Sequence, residues 1–299
     1  MEKTYFIRHS GQLDVDDHTI DLLWNGDFIG LHFPQDNVAP FEDGDSKSLD
    51  PNDYKDTARH SLERFHTLAR EGGYVFAAYR DKEGAKLGYV APDSTVELLR
   101  GKWGQLDEFE GRDAILKVLK LSSTKQLTAL QSISFKAVQP QQGTFCQWHK
   151  IGRRVEATFN GERPSTLNDL TPDLQEVMCM EYLRTDLAKR HGLPKLQTTI
   201  LPVGRTLLDL DIFGLAEDGQ TISAQVTFHK LGDADEKLHR LKPYAGTGNH
   251  AVYFCNCADS CEVEGVKVFP ISTVFDEFCK GSKDGIRWFE VAVGDNTSF

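Results

Sequence analysis

No stretch of this 299-residue chain approaches the roughly eighteen apolar residues that a membrane helix needs. A basic, apolar, cleavable leader is also missing from the N-terminus, so the expectation is a soluble cytoplasmic protein with no membrane partner. Cysteine is scarce: Cys146 and Cys179 are isolated and Cys255, Cys257, Cys261 and Cys279 fall late, which excludes a disulfide framework. The Cys255-x-Cys257-x3-Cys261 run has thiolates that suit zinc, with Cys279 or His250 available as a fourth ligand. Paired C-x2-C knuckles are absent, however, and Cys255 falls in an apolar stretch, so reduced core or surface cysteine is the better reading. There is no G-x-x-x-x-G-K-[ST] loop, which excludes ATP hydrolysis by the chain itself, and no G-x-S-x-G elbow, H-E-x-x-H pair, internal repeat or heptad run. Positive charge is deficient, with 34 Lys+Arg against 45 Asp+Glu and a net charge of −11; from Leu170 onward the balance is 13 against 19, a net of −6. Nucleic-acid binders ordinarily show a basic surface, so any such affinity here depends on a metal, a partner or the other domain.

What the chain does hold is the segment Leu207 to Lys230, LLDLDIFGLAEDGQTISAQVTFHK. The alternation in Leu208-Asp209-Leu210-Asp211-Ile212 predicts a strand with both carboxylates on one face. Glu217-Asp218-Gly219-Gln220 supplies a hairpin turn, and Ile222, Ala224, Val226 and Phe228 alternate with Ser223, Gln225 and Thr227 on the returning strand. Asp211 and Gln225 meet at one end of that pair. Hard cations take oxygen ligands, often one or two carboxylates with water and phosphate, so the hairpin suits a metal-dependent phosphodiesterase. Acidic residues on a hairpin are also common as plain solvated charge.

The flanking elements give the hairpin its context. Thr171 caps and Pro172 opens a helix that runs to His191 and ends at Gly192. A strand follows over Leu196 to Val203. Beyond the hairpin come a helix over Asp233 to Tyr244, strands over His250 to Cys255 and Val266 to Phe269, and a closing helix over Ser272 to Cys279. The core order is αβββαβ, an α/β arrangement.

That order, with an acid in the first helix, Asp-Ile-Phe-Gly on the second strand and Gln-x-Thr on the third, resembles the restriction endonuclease-like PD-(D/E)xK nucleases over roughly Leu170 to Phe278. The resemblance implies a catalytic set of Glu181, Asp211 and Gln225, with Mg²⁺ or Mn²⁺ on Asp211 and Gln225 and Asp209 as an extra ligand. It implies hydrolysis of nucleic-acid phosphodiesters, DNA before RNA, in prokaryotic defence. A homodimer would cut both strands, and a helicase or ATPase is the expected further partner. The family's lysine two residues after the second ligand is Thr227 here. Either the cation has moved, with His229, Lys230, Lys237 or Lys242 in view, or the site binds without cutting and the chain is a scaffolding subunit. A third reading makes the acidic face structural and the partner another protein.

Length predicts two domains, 1–164 and 165–299. In the first, short strands at Tyr5–Ile7, Leu13–Val15, Asp27–Phe33, Tyr74–Tyr79, Lys86–Val90 and Thr95–Leu99 surround one amphipathic helix over Asp53 to Glu71. Pro34 to Pro51 reads as a mobile loop. The pattern suits an α+β barrel-like fold. Gly26-Asp27-x-Ile29-Gly30 and Gly72-Gly73-Tyr74-Val75-Phe76-Ala77 look similar to PUA- and EVE-like barrels, which implies a sensor or specificity domain that holds a flipped, modified base among aromatic rings. Trp148-His149-Lys150-Ile151-Gly152-Arg153-Arg154 reads either as a nucleic-acid contact, with Trp148 stacked on a base and Lys150, Arg153 and Arg154 on phosphate, or as a buried Trp beside an exposed basic turn; the second reading weighs more.

Overall fold

The computed structural model describes residues 2–10, 13–33, 47–104, 110–141, 143–151, 153–200, 210–232 and 235–295. The chain divides into two compact units, Met1–Pro164 and Ser165–Phe299. Each has apolar clusters of its own.

In the first unit the order is β1 (Thr4–His9), α1 (Asp17–Asn25), β2 (Phe28–Leu31), α2 (Asp56–Glu71), β3 (Gly73–Tyr79), β4 (Lys86–Val90), β5 (Glu97–Lys102), β6 (Asp113–Lys120), β7 (Ser123–Gln126), α3 (Ala129–Lys136), β8 (Phe145–Gln147) and α4 (Arg154–Asn160). One sheet runs β7-β4-β3-β1-β8, with β1 parallel to β3, and a second runs β2-β6-β5. Side-chain alternation along β1 feeds two cores. Tyr5 and Ile7 join Ile29, Leu116 and Val118 of the second sheet, while Phe6 joins Phe76, Phe135 and Trp148. The expected barrel is thus corrected: among the described residues two open sheets pack face to face, because β2, β5 and β6 pair with one another and not with the five-stranded sheet. The strand expected at Leu13–Val15 also gives way, since Asp16 accepts from Thr19 N–H at 2.9 Å and caps α1, which buries Ile20 and Leu23 one turn apart. The loop expected over Pro34 to Pro51 falls largely on 34–46, outside the described residues.

His9, at the end of β1, joins the two sheets. Its Nε2 accepts from Gly30 N–H at 3.0 Å, its Nδ1 lies 3.2 Å from Ala78 O, and its ring stacks on Tyr79 with centroids 4.4 Å apart. Nδ1 therefore carries the proton. The ring is wholly buried, and that burial lowers its pKa to about 4.

The second unit runs α5 (Pro172–Leu183), α6 (Asp186–Arg190), β9 (Leu196–Thr199), β10 (Ile212–Ala216), β11 (Thr221–Lys230), α7 (Asp235–Leu241), β12 (Asn249–Asn256), β13 (Cys261–Val263), β14 (Val266–Pro270), α8 (Ile271–Val274) and α9 (Lys283–Val293), with a π-helical turn over Phe275–Lys280. Its sheet is β13-β14-β12-β11-β10-β9; β9, β10 and β11 form an antiparallel meander, and β11, β12 and β14 are parallel. Ile222, Ala224 and Val226 of β11 face the cluster that holds Met178 and Tyr182 of α5, along with α8 and α9. The opposite face packs Ala251, Tyr253 and Cys255 of β12 against Leu238 and Leu241 of α7. Helices therefore cover both faces, and the expected αβββαβ order is present within a mixed α/β chain.

Three boundaries differ from expectation. The helix predicted over Pro172 to His191 is two, because the Thr185 hydroxyl donates to Tyr182 O at 2.7 Å and accepts from Leu187 N–H at 3.2 Å, ending one helix and capping the next. The first hairpin strand begins at Ile212, with 201–209 outside the described residues. The closing helix starts at Ile271 and passes into the π turn, and α9 follows it. At the hairpin, Gly219 takes φ +83° in the turn. A methyl group on Gly214 would stand 2.2 Å from Thr198 O, so glycine there lets β9 close on β10.

Candidate active site

The hairpin's turn acids are already engaged. Glu217 pairs with Lys189 and with Lys195 at 3.1 Å, and Asp218 accepts from His250 Nε2 at 2.8 Å. Asp211 differs from both. Its N–H donates to Ala224 O at 2.9 Å, although Ile212 is the residue registered against Ala224, so two successive residues address one partner as at a β-bulge. Alternation is broken there, and the carboxylate is turned along the sheet, where Oδ2 accepts from Val226 N–H at 2.8 Å. Burial raises the Asp211 pKa; the Val226 N–H and the charge of Lys237 act against that rise, and Asp173 adds to it. The carboxylate is thus within electrostatic reach of α5 on one face and α7 on the other.

Gln225 follows on β11, registered against Tyr253 and on the α7 face of the sheet. Its side chain is 3 % exposed, and its Oε1 is buried with no hydrogen-bond partner. A buried amide oxygen without a donor costs about 1–3 kcal/mol. Gln175 Oε1 on α5 is in the same condition, so what sets Gln225 apart is its place on the strand beside Asp211, which sequence reading gives only as a register.

The other expected site residues are placed unevenly. Glu181 pairs with Arg184 at 3.2 Å, and Arg184 also donates to Thr199 Oγ1 at 2.8 Å. The α5 acid that acts on Asp211 is instead Asp173, eight residues earlier and so about 12 Å away along the helix axis. Thr227 is buried, and its Oγ1 accepts from His229 N–H at 3.2 Å. Lys230 is exposed where β11 runs on beyond β10. Asp209 lies outside the described residues.

The nucleic-acid reading of the basic run is corrected. Trp148 is 4 % exposed and packs edge-on against Phe6, Phe76 and Phe135, so its faces are closed to a base. Arg154 is wholly buried, with its guanidinium 4.3 Å from the Phe135 ring centre and a 2.6 Å bond to Ser134 Oγ. Arg153 pairs with Glu162 at 3.0 Å, and Lys150 is exposed. The run marks an edge of the first unit's core.

Among the described residues no three His, Cys, Asp or Glu side chains gather as a metal site. Burial pushes the Cys255 thiol up to about 12, the opposite of what a zinc ligand needs. The donors available on the two neighbouring strands, the Asp211 carboxylate and the Gln225 amide oxygen, would make a sparse, all-oxygen set. That set fits a hard cation that keeps most of its water, as Mg²⁺ and Mn²⁺ do, and does not fit a softer ion.

A separate cleft of about 640 Å³ lies in the first unit, lined by Asp14, Asp17, Arg80, Lys102, Trp103 and Glu110 among others. Asp14 holds a left-handed backbone, φ +44°. Arg80 pairs with Asp17 at 2.9 Å and Lys102 with Asp113 at 2.6 Å, while the Trp103 ring packs against His32.

No protein-family profile matches the chain, and no curated protein matches it. One solved structure is similar to it: MspJI restriction endonuclease in complex with a 27-mer oligonucleotide, at 9% sequence identity and a TM-score of 0.29, covering 97% of this chain and 79% of that one. So loose a superposition carries no argument about this chain's fold or activity.

Proposed function

We propose that the second unit is a metal-dependent nuclease that hydrolyses nucleic-acid phosphodiesters, DNA first among them, with Asp211 and Gln225 holding Mg²⁺ or Mn²⁺. The observation that carries this reading is the buried, unpartnered Gln225 Oε1 on the strand beside the half-buried Asp211 carboxylate. The restriction endonuclease-like order of α5, β9, β10, β11, α7 and β12 supports it. The Val226 N–H fixes the carboxylate's orientation, and burial keeps competing water away from it. The chemistry supplied by a bound cation is Lewis-acid stabilisation of the phosphoryl oxygens and activation of a water. Two sites are needed to cut a duplex, which a homodimer provides, and a partner ATPase would supply any movement along it. Prokaryotic defence is the setting this chemistry suits.

Incubation with plasmid, modified DNA and RNA in Mg²⁺, Mn²⁺ or EDTA tests the proposal. Metal-dependent cleavage that disappears in Asp211→Ala is the expected outcome. Binding without cleavage, unchanged in Asp211→Ala, would replace the enzyme with a scaffolding subunit, the reading that a buried Thr227 at the lysine position favours. A smaller experiment isolates the amide: Gln225→Glu should tighten Mn²⁺ binding by calorimetry about tenfold, since it adds a charge to an oxygen that has no partner. Unchanged Mn²⁺ affinity would remove Gln225 from the site.

For the first unit we propose a specificity role, with the Trp103 cleft receiving a base. Trp103→Ala should then weaken binding of oligonucleotides that carry the recognised base by about tenfold, a typical loss for one stacking ring. Equal affinity of variant and wild type across modified and unmodified oligonucleotides would contradict it.

A further inference from the structure

We propose that Cys255 and Cys257 form a redox-active dithiol, a site at which a peroxide oxidises the pair to a disulfide that a thiol reductant reopens. Both are free thiols. β12 ends at Asn256 and the chain turns at once, because Cys257 N–H donates to Cys255 O at 3.1 Å. Residues two apart in a strand share a face, and both side chains pack into the apolar cluster beneath α7. Even in an extended strand, Cα atoms two residues apart stand at most about 7 Å from each other. A closed three-residue turn brings them inside the roughly 4.4–6.8 Å that a disulfide spans. The two thiols are already hydrogen-bonded, with Cys255 donating to Cys257.

Exposure divides the roles. Cys255 is wholly buried, whereas Cys257 is half-buried and followed by the exposed Ala258-Asp259-Ser260, so an oxidant meets Cys257 first. Burial raises the Cys257 thiol, and the bond received from Cys255 acts against that rise. With hydrogen peroxide, the Cys257 sulfur takes one oxygen as the O–O bond breaks, giving a sulfenic acid and a water. The Cys255 sulfur then bonds to the Cys257 sulfur, the S–O bond breaks, and the Cys255 proton leaves with the hydroxyl as a second water. Two thiols are oxidised and one peroxide is reduced. Cys261 is exposed but badly placed: it opens β13, which β14 separates from β12, so it stands two strand spacings, roughly 9–10 Å, from Cys255, and a disulfide closes only within about 7 Å. A bond closed over three residues restrains the unfolded chain far less than one closing a long loop, so it acts as a reversible clasp and not as a staple. Asn256, which it would span, is registered against Lys230 at the end of β11, so oxidation fastens the end of the strand that carries Gln225.

The test treats the full-length reduced chain with hydrogen peroxide at about pH 8, near the range where thiols ionise. The chain is then denatured, alkylated with iodoacetamide and mapped by mass spectrometry. Cleavage before Asp259 separates Cys261 from the other two cysteines. The expected product is a single fragment holding Cys255 and Cys257, unalkylated, lighter by two hydrogens and restored by dithiothreitol. Cys255→Ser should stop at a Cys257 sulfenic acid that dimedone labels, and Cys257→Ser should form no bridge. A second measurement needs no variant: in glutathione redox buffers the folded wild type should hold the bridge at least about tenfold more strongly than the chain unfolded in guanidinium, since the turn keeps the thiols in place. Equal strength in the two states would overturn the proposal. So would a bridge that ties the Cys261 fragment to its neighbour, oxidation of Cys257 to sulfinic acid with Cys255 still alkylated, or full alkylation of both cysteines after peroxide.

Discussion

Asp211→Asn, in EDTA at pH 7, is expected to be more stable than the wild type by about 1 kcal/mol, the usual gain on relieving a functional site, while its metal-dependent cleavage is lost. The sign follows from burial. The folded chain raises the Asp211 pKa above its ordinary value, so it binds a proton more readily than the unfolded chain does. Stability is therefore given up as pH rises through the window between the ordinary and the raised pKa, and the deficit persists at neutral pH. Asparagine removes the charge and keeps an oxygen to accept from Val226 N–H. The gap between variant and wild type should close as pH falls below the ordinary aspartate range, where both side chains are neutral. Denaturant titrations at pH 7 and pH 3.5, followed through Trp288 of the second unit, measure it. A variant less stable than the wild type at pH 7 would show that the carboxylate is there to hold the fold.

The first unit is expected to lose about 3 kcal/mol of stability as pH falls from 6.5 to 4, through His9 alone. His9 must stay neutral to accept from Gly30 N–H, and its folded pKa is lowered to about 4. The unfolded chain takes up a proton near pH 6.5, so over this window unfolding is favoured by about 1.4 kcal/mol for each pH unit. Above pH 6.5 the contribution is fully present; below pH 4 both states are protonated and no more is lost. His9→Gln cannot titrate, so the difference between it and the wild type should shrink as pH falls through this window. Parallel pH dependence of the two proteins in denaturant melts would contradict the assignment.

Much of this was legible in sequence where one periodicity acts alone. The strands at Tyr74–Tyr79 and Lys86–Val90, the hairpin turn and the order of elements in the second unit follow from alternation and turn residues. Asp16 and Thr185 were harder to read, since a single side chain bonding to backbone ends or starts a helix within an otherwise uniform pattern. The acids of the hairpin looked alike as letters. Only packing separates Glu217 and Asp218, which are paired with Lys195 and His250 at the surface, from Asp211, which is turned inward by a one-residue step in the ladder. Trp148 is buried, as the favoured reading of its run has it, while Arg154, expected on an exposed basic turn, is in the core as well.

The position of β1 has a consequence for biosynthesis. Among the first unit's described strands it is made before the others, yet it sits between β3 and β8, and its last neighbour, Phe145–Gln147, is synthesised about 140 residues later. Until then the apolar Tyr5-Phe6-Ile7 has one strand edge unsatisfied and one core without Trp148. The first unit must therefore complete its sheet late, from contacts distant in sequence, whereas the β10–β11 hairpin closes locally as soon as it emerges. Among the described strands of the first unit, β1 thus waits longest for a partner.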